Sequence, residues 1–277
     1  MKNMKFLILN KFYNPHRGGV ETTVEEHAVW LSKNKNYEVK VLVANEVALN
    51  FTKYKEIKNN LEIIKTSQIG VFLSMPISIF YPIYFFKYLS KNDIIFLHEP
   101  WPLGTISLYL ANLFFKRKFT SIIFWHADTK KSRILDKLIF YFQRKNIENA
   151  KLLIVSNKLV LQNSEIRTLK NIHTKLEELP IPISKVNDSS LISHEIQKLV
   201  KNNNQKEIFF FFGRLVKYKG IEVLLKALSK INKNKIIIIA GEGSFASKLL
   251  KIREEFKNVI FINRFLNEKE KYFLFEN

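Results

Sequence analysis

Short apolar runs alternate with helical patterns along the chain. The segment Lys5–Leu9 is typical of a strand buried on both faces, because its apolar residues are consecutive. A glycine-containing loop follows it, and then a segment in which Val24, Ala28 and Leu31 recur at helical spacing. Strands that alternate with helices predict parallel βαβ units. Further strands are predicted at 37–44, 61–65, 94–97, 121–125 and 152–155, and helices at 20–32, 103–115 and 132–145.

The same alternation starts again after a polar stretch. Pro180 and Pro182 close the first series, and residues 184–206 form a polar connection with a short helix predicted near 190–200. The second series has strands at 207–212, 235–240 and 259–262, and helices at 221–230, 244–255 and from about 267. We therefore predict an α/β protein with a first domain at 1–183, a linker at 184–206 and a short second domain at 207–277.

One apolar stretch, residues 69–86, contains no charged residue and reaches the minimum length of a membrane helix. Pro76 and Pro82 interrupt it, and proline breaks helices. We therefore predict a buried loop and helix here. Contact with a membrane surface is a second interpretation, and a membrane span is a third.

The composition excludes several classes of protein. The chain has 47% hydrophobic residues, which excludes a disordered chain, and no cysteine, which excludes disulfides and thiolate sites. The formal net charge of +20 raises the hypothesis of a nucleic-acid-binding protein. We rank it third, because only eight of the 45 basic residues are arginine and no nucleic-acid motif occurs. A cationic surface nevertheless attracts anionic partners, including an acidic membrane face.

The N-terminal apolar run is too short for a secretory signal. We expect a cytoplasmic protein, with a peripheral position at the inner membrane face as an extension of that hypothesis. The stretch 103–118 supports the extension, because it is apolar and ends in three basic residues. An ordinary core-facing helix with a positive C-terminal end explains the same pattern.

The loop 213–220, GRLVKYKG, is the most informative segment for chemistry. Gly213 allows the backbone to turn, and Gly220 precedes the predicted helix, whose free N–H groups attract anions. Arg214 and Lys219 add two cations beside that helix terminus, so a diphosphate is the expected ligand. For Lys217 we prefer the alternative, an ordinary solvated charge.

Weaker signals lie at other strand ends. Gly18 and Gly19 permit close approach of a phosphate or sugar, although a tight turn into a helix with Glu21 in its first turn explains them equally. A lone histidine is more often structural than functional, so neither His98 nor His126 is assigned a role from its own position. Polar clusters follow three further strands: His98 with Glu99, His126 with Asp128, and Gly241, Glu242 and Gly243. No metalloprotease, EF-hand, P-loop or hydrolase-elbow motif occurs, and we expect neither a dedicated metal site nor a cofactor.

Taken together, the segments resemble the retaining nucleotide-sugar glycosyltransferases of glycosyltransferase family 4, which have the GT-B fold. The matching pieces are YNPHRGGVE at 13–21, LHEP at 97–100, WHAD at 125–128, GRLVKYKG at 213–220 and AGEG at 240–243. The resemblance implies two Rossmann-like domains whose parallel sheets face a cleft. The first domain would take the acceptor, and the second would take the nucleotide sugar.

The resemblance also implies roles for individual residues. Arg214 and Lys219 would bind the donor diphosphate and stabilise its charge as the sugar–phosphate bond breaks, and His126 would contact the transferred hexose. The donor-binding set would be Gly18, Gly19, Gly213, Gly241, Glu242 and Gly243, with the last three near the nucleoside. The acceptor-side set would be Glu21, His98, Glu99 and Asp128. The form WHAD hints at mannose or a related sugar.

One element of the family is absent. The family carries two glutamates separated by seven residues after the next strand of the second domain, and the pair Glu38 and Glu46, which has that spacing here, lies on a first-domain strand and its exit. We therefore expect an incomplete second domain. The leading hypothesis is transfer of a hexose from a UDP- or GDP-linked sugar to a growing, lipid-linked glycan in cell-surface polysaccharide synthesis. The alternative is an inactive remnant or a split-enzyme fragment that at most binds a nucleotide diphosphate.

Overall fold

Helices and strands alternate through most of the chain in the computed structural model. It describes residues 4–16, 18–50, 54–58, 60–72, 75–90, 93–115, 119–128, 133–162, 164–182, 191–228, 230 and 234–277. For 54–58, 133 and 252–255 it describes the backbone alone. The chain divides into two units, Met1–Ile183 and Ser184–Asn277.

The first unit is built on one large sheet. Its described strands follow the order β10-β9-β8-β7-β1-β2-β4-β3, and all neighbours are parallel except β3 and β4. The strands are β1 (Met4–Leu9), β2 (Tyr37–Ala48), β3 (Tyr54–Lys58), β4 (Leu61–Gln68), β7 (Ile94–Glu99), β8 (Thr120–Trp125), β9 (Leu152–Val155) and β10 (Leu176–Glu178), with a separate hairpin of β5 (Gly70–Phe72) and β6 (Met75–Ile77).

Helices cover both faces of this sheet. Ile8 of β1 packs with buried residues of α1, whereas Leu7 and Leu9 pack on the opposite face with buried residues of α2 and α3. A strand buried on both sides needs apolar residues at consecutive positions, which explains the unbroken run at the N-terminus. The helices are α1 (Gly19–Ser32), α2 (Phe80–Tyr88), α3 (Pro102–Phe114), α4 (Arg133–Asn149) and α5 (Leu159–Gln162).

The charge-free stretch 69–86 contributes the β5–β6 hairpin and most of α2. Tyr81 and Phe85 are fully buried against β1, β2 and β7, so the predicted buried helix is confirmed. The predicted buried loop is wrong, because this part is a hairpin whose Val71 and Phe72 are more than half exposed. None of the helices in the described ranges is both long and apolar enough to cross a bilayer.

The second unit is a smaller sheet with helices on both faces. The strands β11 (Ile208–Phe212), β12 (Ile236–Ala240) and β13 (Val259–Ile262) are parallel, in that order. The central strand β12 is buried throughout, as its run of four isoleucines and an alanine predicts. In the described part of this unit, the helices that pack on the sheet are α6 (His194–Asn203), α7 (Ile221–Leu228), α8 (Ala246–Glu255) and α9 (Glu268–Glu276).

The helix predicted within the linker belongs to this second core. Ile196 and Val200 of α6 are buried beside β12, β13 and α9. Ser193, which precedes α6, donates a hydrogen bond to Glu270 of α9, and Arg264 binds both carboxylate oxygens of Glu270 at 2.8 Å. The part of the predicted linker from 193 onward is therefore an integral part of the second unit.

Candidate active site

Two glycine-containing loops of the second unit form one continuous platform. Gly213 follows β11 and donates a backbone hydrogen bond of 3.0 Å to Ala240, the last residue of β12. Two residues on, the N–H of Leu215 donates to the carbonyl of Glu242 at 2.8 Å. The predicted donor loop 213–220 and the AGEG segment are thus joined at the carboxyl ends of adjacent parallel strands, where ligands of open α/β sheets bind.

Glycine is required in this platform because the two loops touch through their backbones. A Cβ atom on Gly241 would lie 1.9 Å from the carbonyl oxygen of Gly213, and one on Gly243 would lie 2.4 Å from that of Leu215. Both glycines also have positive φ angles, of 143° and 154°. The resemblance placed these glycines near the nucleoside, and the structure shows that they make room for the neighbouring loop.

Arg214 and Lys219 are exposed on this platform and share one aromatic neighbour. Nη2 of Arg214 donates a 2.7 Å hydrogen bond to the hydroxyl of Tyr218. The guanidinium carbon of Arg214 and Nζ of Lys219 lie 5.9 Å and 5.4 Å from the centroid of the Tyr218 ring. The structure therefore brings both predicted cations to one side chain. Tyr218 was not among the predicted site residues, and only its position between two basic residues could have pointed to it.

The turn that carries Lys219 leads directly into α7. Lys217–Lys219 form a single 3₁₀ turn, and Gly220 then adopts the left-handed conformation with φ of 76° before α7 begins at Ile221. This is the strand–loop–helix path that the sequence predicted, with the cations just before the helix terminus.

In the first unit, Gly18 and Gly19 lie at the start of α1, as predicted. Glu21 is only 4% exposed, and its Oε1 lies 3.5 Å from Nζ of Lys11, which follows β1. A Cβ atom on Gly18 would approach the Glu21 carboxylate to 2.0 Å, so the two residues pack closely at the start of the helix. The contact of Glu21 with an acceptor stays a prediction, and Lys11 is a cation at this edge that the sequence analysis missed. Arg17, within the same motif, lies outside the described residues.

Three histidines meet where β7 and β8 end. Nδ1 of His98 lies 3.0 Å from Nε2 of His126, and the ring of His27 in α1 is 5.4 Å from that of His98. His98 is fully buried, whereas His126 retains some exposure. Burial lowers the pKa of all three rings, that of His98 well below its usual value and that of His126 to about 3. Both histidines of the pair are therefore neutral at pH 7.

The other two acidic residues assigned to the acceptor side act within the fold. Glu99 is fully buried and accepts hydrogen bonds from Trp101 N, Thr105 Oγ1 and Gln143 Nε2. Burial raises its pKa against the opposing effect of these bonds. The acceptor-side role predicted for Glu99 is therefore replaced by a structural one, since successive residues of a strand point to opposite faces and Glu99 points under α3 and α4.

Asp128 is half-buried and braces a loop. Its carboxylate accepts hydrogen bonds from Nε1 of Trp125, from Ser164 and from the backbone of Glu165. Its contact with an acceptor stays a prediction. Within the described residues, no group of three or more histidine, aspartate or glutamate side chains is arranged to hold a metal ion.

Acid is expected to destabilise the first unit from pH 6.5 downward. Because the pKa values of His98 and His126 are lowered on folding, the unfolded chain binds more protons below pH 6.5, and stability is lost as the pH falls. Two histidines that stay neutral in the folded chain, and are half protonated at pH 6.5 in the unfolded chain, predict a loss of about 3 kcal/mol between pH 6.5 and 5. Two neighbouring groups, Lys11 and His27, disfavour protonation of His126. Glu26 favours protonation of His27.

Urea unfolding followed by tryptophan fluorescence measures this effect, because Trp101 and Trp125 are buried in the first unit. His98→Phe is expected to remove about half of the pH dependence, whereas His173→Gln, at an exposed position, should leave it unchanged. A free energy of unfolding that is constant from pH 7.5 to 5 would contradict the neutral pair.

The comparisons with known proteins agree with this architecture. A family model described as glycosyl transferases group 1 matches residues 193–277. The uncharacterized glycosyltransferase MJ1069 of Methanocaldococcus jannaschii is 27% identical over 277 residues, which cover 93% of this chain and 68% of that protein. The O-antigen chain mannosyltransferase C of Escherichia coli is 24% identical over 197 residues, covering 69% of this chain and 49% of that protein.

A solved structure of HepE from Anabaena, in complex with UDP, superimposes with a TM-score of 0.66. The superposition covers 97% of this chain and 71% of the HepE chain, and the sequence identity is 12%, so the similarity is one of fold. The two α/β units match the architecture of solved structures with the GT-B fold. We conclude that the chain is a glycosyltransferase with the GT-B fold.

Proposed function

We propose that the chain transfers a hexose, with retention, from a UDP- or GDP-linked sugar, and that the platform of the second unit holds the donor diphosphate. The observation that carries the proposal is the pair of cations, Arg214 and Lys219, beside the joined loops 213–220 and 240–243. The two cations would neutralise the diphosphate as the sugar–phosphate bond breaks, a role that metal ions have in other transferases. The complex of HepE with UDP supports a nucleotide diphosphate as the ligand.

Titration calorimetry with UDP, GDP and their hexose conjugates, alongside a turnover assay in EDTA, tests this proposal. Binding of one nucleotide with turnover of its sugar conjugate is the expected result. Loss of turnover in EDTA that magnesium restores would contradict neutralisation by the two cations. Failure to bind any nucleotide diphosphate would contradict the donor site itself.

For the acceptor, we propose a growing, lipid-linked glycan of a cell-surface polysaccharide. The similarity to an O-antigen chain mannosyltransferase supports this choice and favours mannose as the sugar. In the first unit, His126 would contact the hexose, because it lies just after β8 and, unlike His98, retains exposure. Assays with GDP-mannose and UDP-hexoses on a lipid-linked oligosaccharide distinguish the donors.

Peripheral contact with an anionic membrane would suit such an acceptor. Val71 and Phe72 of the hairpin, Ile83 of α2 and Phe114 of α3 are each more than half exposed. The rings of Phe86 and Phe115 are 6.1 Å apart, so α2 and the end of α3 are neighbours. The basic run 116–118, on which the prediction also rests, lies outside the described residues.

Co-sedimentation with liposomes tests the membrane contact. Binding to anionic liposomes at low salt is expected, with a clear decrease in Phe72→Ser and Phe114→Ser. Leu191→Ser, at an exposed position of the second unit, is the matched control. No binding of the unsubstituted chain at low salt would contradict the contact.

A second candidate is a chain that binds the nucleotide but needs a further polypeptide for turnover. Within the described residues β11 pairs only with β12, and Phe209, Phe212 and Phe275 beside it are 42%, 44% and 61% exposed. In doubly wound sheets the first strand is central and pairs on both sides. Nucleotide binding without turnover, with turnover restored by the C-terminal segment of a relative such as MJ1069, would favour this candidate.

A further inference from the structure

The distance between His98 and His126 does not show which of the two rings donates the hydrogen bond between them. Their ring nitrogens, Nδ1 of His98 and Nε2 of His126, are 3.0 Å apart, so one of the two carries the shared hydrogen. Both rings are neutral at pH 7, and a neutral imidazole has one N–H and one bare nitrogen. The proton position on His98 therefore determines the proton position on His126.

The surroundings of His98 decide which ring donates. Its other nitrogen, Nε2, is buried and has no hydrogen-bond partner. The ring lies among other rings: Phe124 is stacked on it at 5.5 Å, Phe96 lies at 4.6 Å and His27 at 5.4 Å. If His98 accepted the bond, its proton would sit on Nε2 as a buried N–H without an acceptor. Orphaned buried N–H groups are rarer than under-satisfied acceptors, so the proton belongs on Nδ1.

We propose that His98 is a positioning residue that donates from Nδ1 to Nε2 of His126 and thereby holds His126 as the neutral Nδ1–H tautomer. His126 then offers an N–H donor, and not a base, to whatever approaches its second nitrogen. Its side chain makes no other hydrogen bond within the described residues, so that donor is available. In water the Nε2–H form of neutral histidine predominates, which means that the fold selects the less common form.

This selection has a consequence for the sugar, which rests on the function proposed above. A hexose hydroxyl or ring oxygen can accept a hydrogen bond from the Nδ1–H of His126, whereas the other tautomer would present a lone pair there. His98 acts on the sugar only through His126, since its own ring is fully buried.

Nitrogen-15 NMR of the imidazole side chains measures the tautomer directly at pH 7.5, and His126→Gln assigns the His126 signals by their disappearance. A protonated Nδ1 and a bare Nε2 on His126 are expected. The converse pattern in the unsubstituted chain overturns the proposal, and this result needs no variant of His98 to fold.

Two substitutions then separate positioning from packing. His98→Phe keeps the ring but removes the donor, so the Nε2–H form should become the major tautomer. His98→Asn places an amide N–H near the position of Nδ1 and should restore the Nδ1–H form. A tautomer that is the same in all three chains overturns the proposal, provided that circular dichroism shows both variants folded.

Kinetics add a readout that is distinct from nucleotide binding. His98→Phe is expected to lower kcat/KM for the sugar nucleotide about tenfold while the Kd of the free nucleotide diphosphate stays unchanged. If the unsubstituted chain binds no nucleotide diphosphate, the proposed function fails and the tautomer result still stands. If nucleotide binding and turnover are present but insensitive to His98→Phe, the link between the tautomer and the sugar is wrong.

Discussion

Replacing Arg214 or Lys219 by alanine is expected to weaken binding of the nucleotide diphosphate at least tenfold and to lower kcat/KM for the sugar nucleotide by about 10²-fold. Each cation would make a charged hydrogen bond to the diphosphate, worth about 1.5–3 kcal/mol, and 1.4 kcal/mol corresponds to a factor of ten. The effect on turnover should exceed the effect on binding, because negative charge on the leaving diphosphate increases as the bond breaks. Calorimetry and steady-state kinetics measure the two effects separately.

Lys217→Ala is the matched control, because Lys217 is an exposed lysine of the same turn. It should leave binding within about twofold, as expected for a surface charge without a specific partner. Tyr218→Phe removes the hydroxyl that accepts the hydrogen bond from Arg214, and a smaller loss is expected there. Unchanged binding and turnover in both alanine variants would remove the diphosphate site, and with it the proposed donor.

Gly241→Ala is expected to destabilise the second unit by about 3–5 kcal/mol and to abolish nucleotide binding. The added Cβ would lie 1.9 Å from the backbone oxygen of Gly213. That oxygen cannot move away unless the backbone directly after β11 shifts. The residue would also adopt a φ of 143°, which side chains rarely tolerate. Steric overlap and backbone strain act together, so the loops 213–220 and 240–243 cannot pack against each other.

Two other glycines separate these causes. Gly213 has a φ of 138° but open space around its Cβ position, so Gly213→Ala should cost only the backbone strain, about 1–3 kcal/mol. Gly70 has neither feature, and Gly70→Ala should be nearly neutral. Urea unfolding of the three variants is expected to place them in this order. Equal stability of Gly241→Ala and Gly70→Ala would contradict the close contact of the two loops.

The alternation of strands and helices was readable from the sequence because each element carries its own periodic pattern. The runs at Lys5–Leu9 and Ile236–Ala240 are buried strands, and the predicted helices correspond to α1, α3, α4, α7, α8 and α9 within a few residues. Strand order was not readable, since β1 lies between β2 and β7 through contacts that no local pattern encodes. The antiparallel edge strand β3 was missed for the same reason.

For the candidate site too, local features were predicted from the sequence and contacts between distant residues were not. The loop 213–220 was identified correctly as a strand–loop–helix segment, because glycines and basic residues at such a junction carry local information. His98 and Glu99 were treated alike, yet successive residues of β7 face opposite sides of the sheet. Register places them opposite Phe124 and Trp125 of β8, so one meets a histidine and the other meets Thr105 and Gln143.

The sequence alone determined the α/β class, the positions of the turns and the chemical character of the residues at them, because these depend on short-range periodicity and on the properties of single side chains. Tertiary structure decided which turns touch, which carboxylates are buried and which cations share a neighbour. Glu21 and Glu99 became internal residues, Lys11 became the partner of Glu21, and Tyr218 became the partner of Arg214. Burial and pairing depend on residues far apart in the chain, and only the packed sheets bring them together.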